Sequence, residues 1–398
     1  MVIGAGPAGL MAAATAAARG LRTALLEKND QVGRKLRLSG GGNGNISPDV
    51  PLDRFIREMG PSGPFLRSAL AAFGSELLEA FCAELGLRLE CDQGRRLVRG
   101  GSAAFTEAMV RHVREVGARL ILSRPVQNVR FESSGGFYVS TAEGDLEAAT
   151  VVIAAGGRSY PRTGSSGDGF ELARRLGHSV VAPMPALGPV RLAEGVFAGL
   201  AGVSVPRVEC QVLADGKVRG RFAGAMLTTH TGLSGPAVLD ASLVLARELR
   251  DGHKAHLRID LLPGLERERI ETALRDQPPD LAVLADLPQR LVRRLLELAG
   301  ADLAARTLQL TRPQRHRLVE LVKANVVAVA DTGSWETAMV TEGGVSLKEI
   351  DPRAMQSRVV SGLFLAGEVI DAAGPCGGYN IHVALATGRL AGDSVGIV

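Results

Sequence analysis

The chain has few aromatic residues and few cysteines. Phenylalanine, tryptophan and tyrosine make up 4% of its 398 residues, too few for the stacking side chains that bind single-stranded nucleic acid. The four cysteines form no CxxC pair and show no metal-ligand spacing, so neither a metal site nor a disulfide framework is predicted. Free thiols are usual in a reducing compartment, and we therefore expect a cytoplasmic protein.

Concentrated charge and long apolar runs are also missing. The formal net charge is +4, but the basic residues, mostly arginines, are scattered along the chain. Scattered cations favour solvated surfaces over a nucleic-acid footprint, so no nucleic-acid partner is expected. No segment suits a membrane span, and 46% apolar residues over this length favour a soluble protein of two or three domains.

Glycine, by contrast, is abundant, and it shapes the opening segment. Gly4, Gly6 and Gly9 follow a short apolar run and precede a helical pattern, and Glu27 ends a second apolar run. Here the first glycine allows a tight turn, the second lets a pyrophosphate approach, and the third lets the helix pack on the strand. The helix N-terminus would bind the diphosphate and Glu27 the ribose hydroxyls, so a dinucleotide site is predicted. Only three residues precede Gly4, fewer than the usual lead-in of a first strand, and the sequence leaves open whether the native chain starts upstream of Met1.

A second glycine-rich segment covers residues 33–47. Its glycines are too crowded for a regular element, and we predict a loop that wraps a ligand. Arg34 and Lys35 are candidates to neutralise a diphosphate, the alternative being a solvated pair. Ser39 and Asn45 are candidates to contact a ligand chain, the alternative being stabilisation of a turn.

Two later segments share the character of the first strand. Residues 149–155 form a continuous apolar run ending in Gly156-Gly157, which is typical of a buried parallel strand. A similar run ends in Gly367-Glu368 and is followed by a helix predicted over residues 381–391. The nucleotide-binding fold is therefore predicted to be discontinuous, of the α/β class.

The segment between these runs differs in pattern. Residues 190–262 are predicted to be rich in strands and residues 265–325 to be helical with proline breaks. Earlier helices are predicted over residues 65–86 and 103–117. The predicted domains are 1–187 and 336–398, which together bind the cofactor, and 188–335, an inserted cap.

Together these motifs carry a family resemblance. Gly4–Gly9, the Gly33–Asn45 loop, Thr229-His230-Thr231-Gly232 and Gly367–Asn380 resemble the aminoacetone-oxidase-like, BaiN-type FAD-dependent oxidoreductases, relatives of the glutathione-reductase-like flavoproteins. The resemblance implies non-covalent FAD in a discontinuous Rossmann-like domain, with an inserted cap of β-barrel plus helices.

The chain departs from that family at two places. The family usually has Arg-Cys where this chain has Asn43-Gly44, which removes a charge and a thiol from the loop expected to face the flavin. The terminal motif usually carries Thr where this chain has Cys376, which puts a thiol near the expected isoalloxazine ring.

Candidate site residues follow from the motifs and the resemblance. His230 and Tyr379 are the candidate proton donors, a structural histidine being the alternative for His230. Asp371 or Glu368 would contact the ribityl region, and Asp168 is expected to cap a helix. The predicted cofactor-binding residues are Gly4, Gly6, Pro7, Ala8, Gly9, Glu27, Lys28, Arg34, Lys35, Ser39, Gly40, Gly41, Asn45, Val126, Ala155, Gly156, Gly157, Gly367, Glu368, Asp371, Gly377, Gly378, Tyr379 and Asn380.

The leading functional hypothesis is an FAD-dependent oxidoreductase. Reducing equivalents would pass between NAD(P)H and a small organic substrate, such as a conjugated enone, through bound FAD. No second Gly-x-Gly-x-x-Gly turn is seen, so the nicotinamide cofactor would bind transiently. Two alternatives are a flavin-dependent tRNA-modifying enzyme and a non-enzymatic, flavin-binding redox sensor.

Overall fold

The chain divides into two compact units. The computed structural model describes residues 1–132, 135–193, 195–276, 278–305 and 307–396. Met1–Pro183 and Met339–Val398 form one unit, here called the split unit, and Met184–Ala338 form the inserted unit. No helix of the described residues is long and apolar enough to cross a membrane.

The first part of the split unit alternates strands and helices. Its strands are β1 (Val2–Ile3), β2 (Ala24–Leu26), β3 (Asn45–Pro48), β4 (Leu89–Asp92), β5 (Arg95–Val98), β6 (Arg119–Ile121), β7 (Val126–Phe131), β8 (Phe137–Thr141), β9 (Gly144–Ala148), β10 (Val151–Ile153) and β11 (Val180–Ala186), the last of which runs into the inserted unit. Its helices are α1 (Pro7–Ala18), α2 (Leu52–Glu58), α3 (Gly63–Ala72), α4 (Ser75–Glu84), α5 (Gly101–Glu115) and α6 (Asp168–Arg175).

The inserted unit is a closed barrel with helices. Its strands are β12 (Val190–Leu192), β13 (Ser204–Ala214), β14 (Lys217–Thr228), β15 (Gly232–Ser234), β16 (Ala255–Asp260) and β17 (Asn325–Asp331). Its helices are α7 (Pro236–Arg250), α8 (Arg267–Ala273), α9 (Gln289–Leu298) and α10 (Arg312–Lys323). The barrel closes in the order β12-β15-β14-β13-β16-β17. The predicted β-barrel plus helices is therefore confirmed.

The two ends of the inserted unit lie together. The Thr332 hydroxyl donates a hydrogen bond of 2.7 Å to the Pro185 carbonyl. A Cβ on Gly333 would lie 2.5 Å from the Pro189 carbonyl oxygen, so only glycine fits this close approach. The chain thus enters and leaves the barrel at neighbouring points.

The split unit is completed by β18 (Val340–Val345), β19 (Leu363–Leu365) and α11 (Tyr379–Ser394). A five-stranded sheet has the order β19-β10-β1-β2-β6, and each of its pairs is parallel. The strands are short and mostly buried, as expected for a sheet covered on both faces. The Rossmann-like α/β class is confirmed, and the carboxyl ends of the strands form one edge where such folds bind ligands.

Two local predictions were wrong, and a third was right but incomplete. The helix predicted over residues 65–86 is broken into α3 and α4, because Phe73 leaves helical backbone angles just before Gly74. The loop predicted over residues 33–47 contains regular structure, since β3 pairs with β5 and residues 36–42 form a short interrupted helix. The strand-rich prediction for 190–262 missed α7.

Candidate functional site

The turn between β1 and α1 lies at the carboxyl edge of the parallel sheet. Gly4 has a φ of +97°, and a Cβ there would lie 2.6 Å from the Ala154 carbonyl oxygen. A Cβ on Gly9 would lie 1.8 Å from the Gly4 carbonyl oxygen, so α1 packs on the turn itself. Apart from Gly6 and its two chain neighbours, no atom of the described residues lies within 4 Å of the position where Gly6 would carry a Cβ, so this glycine faces open space. The turn therefore presents bare backbone to a ligand.

Helix α1 has an unneutralised N-terminus. Pro7 is its first residue, the N-cap Gly6 supplies no side-chain cap, and the first turn contains no acidic residue. Unpaired N–H groups and the positive end of the helix dipole favour an anion at this point. The geometry suits one phosphate of a dinucleotide.

Glu27 is buried and oriented by the backbone. Its Oε2 accepts a hydrogen bond of 2.8 Å from the Ala5 N–H. Its Oε1 accepts hydrogen bonds of 2.9 Å from the Asn29 N–H and 2.8 Å from the Asn29 amide. Since each carboxylate oxygen has two lone-pair directions, Oε2 can still accept from a ribose hydroxyl.

Val126 opens β7 near the same end of β2. The preceding segment runs beside the continuation of β2, because the Arg124 N–H donates to the Glu27 carbonyl at 2.8 Å and the Ser123 N–H to the Asn29 carbonyl at 2.9 Å. Val126 therefore belongs to the Glu27 end of the site.

The predicted cationic contacts to the diphosphate have partners within the protein. Lys28 forms an ion pair of 2.5 Å with Asp168, and Lys35 one of 2.6 Å with Glu368. Arg34 is exposed, 3.9 Å from the Asp30 carboxylate. The prediction that Asp168 caps α6 was wrong, because Asp168 is the first residue of the helix and Gly167 is the N-cap.

The glycine-rich loop leaves polar atoms without partners. Gly40 and Gly41 are left-handed, with φ of +56° and +66°, and the Cβ position of Gly41 faces open space. The Ser39 hydroxyl and the Asn45 Oδ1 are buried and have no hydrogen-bond partner among the described residues. Burial without a partner is costly, so these atoms indicate a missing ligand.

The loop is held against the start of α5. A Cβ on Gly44 would lie 2.7 Å from the Gly101 backbone, and the Ser102 hydroxyl donates to the carbonyls of Arg37 and Gly42 at 2.7 and 3.2 Å. Gly44 thus occupies a place where a cysteine side chain would not fit without moving the backbone. The glycine that stands where the resemblance implies a thiol therefore packs directly against the backbone at the start of α5.

The segment after β10 reaches Glu368. A Cβ on Gly157 would lie 2.3 Å from the Thr341 Oγ1 and 2.8 Å from the Glu368 Oε1. Glu368 also accepts from the Thr341 N–H at 2.8 Å and from the Ser159 hydroxyl at 3.1 Å. The sequence did not single out Ser159 or Thr341, because their partners are distant along the chain.

One further residue escaped the sequence analysis. The Ser165 hydroxyl is buried, with no hydrogen-bond partner among the described residues, 3.8 Å from the Cβ position of Gly156. It lies in the glycine-containing stretch before α6, where the sequence predicts a role for Asp168 alone. A pair of serines between Gly164 and Gly167, just before a helix, is the signal that the sequence offers.

The C-terminal motif is a clamped loop before α11. The Asn380 side chain accepts from the Gly374 N–H at 2.8 Å and donates to the carbonyls of Gly374 and Pro375 at 2.8 and 3.3 Å. Its amide therefore holds the loop, and the predicted cofactor contact of Asn380 stays a prediction. Gly377 and Gly378 have φ of +113° and +93° and lead into the helix.

The glycines around this motif have packing roles. A Cβ on Gly378 would lie 2.5 Å from the Ser47 nitrogen, so this glycine faces β3. A Cβ on Gly367 would lie 2.7 Å from the Ala8 Cβ, which lets residues 367–369 approach α1. The Asp371 N–H donates to the Val345 carbonyl at 3.0 Å, beside them.

The two candidate proton donors lie in different units. Tyr379 is buried, its hydroxyl donates to Glu58, and its ring packs edge-on against Phe55 at 4.7 Å. Its role as a proton donor stays a prediction. His230 lies in the turn between β14 and β15, which is fixed by a hydrogen bond of 3.0 Å from the Gly232 N–H to the Thr229 hydroxyl.

Together the split-unit residues fit a flavin dinucleotide. They provide an anion site at α1, a buried carboxylate for ribose hydroxyls, bare glycine backbone, and orphaned atoms on Ser39, Asn45 and Ser165 that a ligand's polar groups would satisfy. Among the described residues, no group of three or more His, Cys, Asp or Glu side chains could hold a metal ion.

Over residues 1–394, the chain matches the HI0933-like protein Rossmann domain family. The chain belongs to this family. It is 32% identical over 405 residues to the 3-dehydro-bile acid delta(4,6)-reductase of Clostridium scindens, covering 98% of this chain and 97% of that protein. It is 30% identical over 391 residues to the ribosomal RNA dihydrouridine synthase of Escherichia coli, covering 96% and 94%.

Solved structures share the fold of this family member. The 3-ketosteroid delta1-dehydrogenase of Sterolibacterium denitrificans has a TM-score of 0.54 at 16% identity, with 98% of each chain covered. The 3-ketosteroid-delta4-(5alpha)-dehydrogenase of Rhodococcus jostii RHA1 has a TM-score of 0.53 at 17% identity, covering 99% of this chain and 95% of that one. The predicted family is confirmed, and with it the class of FAD-dependent oxidoreductase.

Proposed function

We propose that the protein uses FAD to reduce a carbon–carbon double bond conjugated with a carbonyl group in a small molecule, with NAD(P)H as the reductant. One observation carries the proposal: two differently named relatives imply the same bond change. A 3-oxo group with delta(4,6) double bonds is a conjugated dienone. Dihydrouridine is uridine whose C5–C6 double bond, conjugated with the C4 carbonyl, has been reduced.

The protein's own residues would bind and orient the reactants. FAD, when bound, supplies the hydride chemistry. The α1 N-terminus and Glu27 would hold the dinucleotide part of FAD. The glycine-rich loop, whose Gly41 faces open space, would leave room for the rest of the cofactor. Reduction of an enone also needs a proton at the carbon next to the carbonyl. His230 is the better candidate for this step, because the Tyr379 hydroxyl is engaged by Glu58.

The decisive experiment is anaerobic reduction of the purified holoprotein. We expect NADH or NADPH to bleach the oxidised flavin absorbance, and a cyclic enone to restore it with formation of the saturated ketone. A His230→Gln variant should be reduced at the normal rate but reoxidised more slowly by the enone. FAD that neither nucleotide reduces would contradict the proposal and favour a flavin-binding redox sensor.

Ribosomal RNA is the second candidate substrate. Two relatives are named as ribosomal RNA dihydrouridine synthases, and β14 carries three exposed basic residues close together, Lys217, Arg219 and Arg221. Such a basic row could contact phosphates, although Arg219 pairs with Glu248 at 3.3 Å. Loss of dihydrouridine from ribosomal RNA in a deletion strain, measured by mass spectrometry and restored by the gene, would favour RNA over a small enone.

A further inference from the structure

The segment that follows β10 forms a loop whose ends meet. The Gly167 N–H donates to the Gly157 carbonyl at 3.1 Å, so residues 157–167 form a compact loop, here called the strap. Inside the strap, the N–H groups of Thr163 and Gly164 donate to the carbonyls of Tyr160 and Pro161 at 2.9 Å. These turns give the strap a defined shape of its own.

The strap reaches from the end of β10 to the end of β2. The Asn29 amide donates to the Thr163 carbonyl at 3.2 Å, and a Cβ on Gly164 would lie 2.5 Å from that amide. In the sheet, β1 lies between β10 and β2. A loop that joins the carboxyl ends of β10 and β2, the two neighbours of β1, passes the carboxyl end of β1, where the Gly4–Gly9 turn lies.

Two lysines fasten the strap at its ends. Lys28 donates to Asp168 and Ser166, each at 2.5 Å, where the strap joins α6. Lys35 donates to Ser159 at 2.5 Å and to Glu368 at 2.6 Å, near the other end. Both lysines come from the segment after β2, so they tie that segment to the strap.

One strap atom indicates that a ligand lies beneath it. The Ser165 side chain belongs to a residue that is 8% exposed, and its hydroxyl has no hydrogen-bond partner among the described residues. The N–H groups of its two neighbours, Gly164 and Ser166, donate to strap carbonyls at 2.9 and 3.0 Å. A buried hydroxyl of this kind is normally satisfied, and a ribose hydroxyl or phosphate oxygen under the strap would satisfy it.

We propose that the strap closes over the dinucleotide part of FAD, and that Lys28 and Lys35 are positioning residues that hold it closed. Their charges are met by Asp168 and Glu368, so neither lysine acts as a phosphate ligand. Cofactor release then requires the strap to open, and the two ion pairs set how often it does so. The inference rests on the FAD site proposed above.

The test removes each partner of the Lys28–Asp168 ion pair in turn and measures the rate of FAD dissociation. An anchoring role and a phosphate-binding role for Lys28 predict opposite effects when Asp168 is removed. Lys28→Met and Asp168→Asn each break the anchor, so both should speed FAD dissociation from the holoprotein by about two- to fivefold, the range of a partly exposed ion pair. If Lys28 instead bound phosphate, Asp168→Asn would free it and slow FAD dissociation. Slower or unchanged dissociation in Asp168→Asn overturns the strap.

A matched control and a second readout separate the outcomes. Asp145→Asn breaks the Arg130–Asp145 pair of 3.0 Å on the β7–β9 hairpin and should leave FAD dissociation unchanged. Trypsin should cut the holoprotein after Arg158 or Arg162 faster in both anchor variants than in the control. Normal cleavage in those variants also counts against the proposal. A wild-type protein that binds no FAD would defeat the cofactor site itself, which is a different result.

Discussion

The two edges of the parallel sheet differ in how their polar groups are satisfied. At the amino end of β19, His178 contacts Ser357 at 2.8 Å and Glu349 at 3.0 Å, and the Ser357 oxygen accepts from the N–H groups of Val359 and Val360 at 3.0 and 2.8 Å. At the carboxyl edge, the hydroxyls of Ser39 and Ser165 are buried with no partner in the described part of the chain.

Ser357, His178 and Glu349 at the amino edge have the spacing of a hydrolase catalytic triad, but not its other properties. A nucleophilic serine needs a free oxygen lone pair, yet two backbone N–H groups occupy the lone pairs of Ser357. The side chain is also buried. A saturated polar cluster therefore indicates a structural role, whereas unsatisfied buried atoms indicate a place for a ligand.

The largest expected effect is at the carboxyl edge. Glu27→Lys removes the acceptor for the ribose and the Ala5 N–H and adds a buried positive charge. We expect FAD affinity to fall by roughly 100-fold or more, since charged hydrogen bonds contribute about 1.5–3 kcal/mol each. Isothermal titration of the apoprotein with FAD measures it. Full FAD content in purified Glu27→Lys protein would contradict the site.

A pH effect tests a third polar group, His382 on α11. This histidine is fully buried between the Ser47 hydroxyl and the Phe73 carbonyl, each at 2.8 Å, and burial lowers its pKa to about 4. The unfolded chain binds the proton near pH 6.5 and the folded chain near pH 4. The stabilisation contributed by His382 should therefore be constant above pH 6.5, fall by about 3 kcal/mol down to pH 4, and then level off.

Chemical denaturation across that pH range checks the prediction. Burial also lowers the pKa of His178, so its contribution has the same sign. His382→Gln should be less stable at neutral pH and should flatten most of the slope. An equal slope in that variant would assign the effect to other groups.

The amino edge should affect stability without affecting the cofactor. His178→Asn leaves Ser357 and Glu349 with an unfilled partner, so we expect a loss of about 1–3 kcal/mol in the free energy of unfolding. FAD affinity and flavin midpoint potential should not change. The wild-type protein should show no hydrolysis of p-nitrophenyl acetate above that of His178→Asn. Esterase activity lost in the variant would reverse this assignment.

The smallest expected effect is that of Ser165→Ala, which separates a ligand contact from a structural role. Ser165→Ala removes a buried hydroxyl without a partner in the described chain, so the apoprotein should be as stable as wild type or slightly more stable. FAD affinity should nevertheless fall by roughly two- to tenfold, because one hydrogen bond to the cofactor is lost. Thermal denaturation with and without FAD separates the two effects. A destabilised apoprotein with unchanged FAD affinity would make Ser165 a structural residue.

Local patterns predicted much of the fold and part of the site. Apolar runs and glycines near Gly4, Gly156 and Gly367 predicted β1, β10 and β19, because strand and turn signals lie in neighbouring residues. Helix α7 was missed inside a strand-rich stretch, although Gly235-Pro236 is an ordinary helix start.

The partners of charged side chains could not be predicted in the same way. Lys28 meets Asp168 and Lys35 meets Glu368 only after distant strands have paired in the sheet. The sequence shows which residues are cations and where the diphosphate is expected, so it favoured direct contact. Only the folded chain shows that carboxylates are nearer partners for those cations.

The paired ends of the inserted unit bear on how the chain folds. In the split unit, β10 must find β19 across the whole insert. Closing a disordered segment of that length costs about 3 kcal/mol more than closing a tether of a few residues. Because Thr332 lies against Pro185 once the barrel forms, a barrel that folds first shortens the effective separation of the two strands. The insert also leaves the ribosome before β19, so synthesis delivers the elements in the order that makes sheet closure least costly.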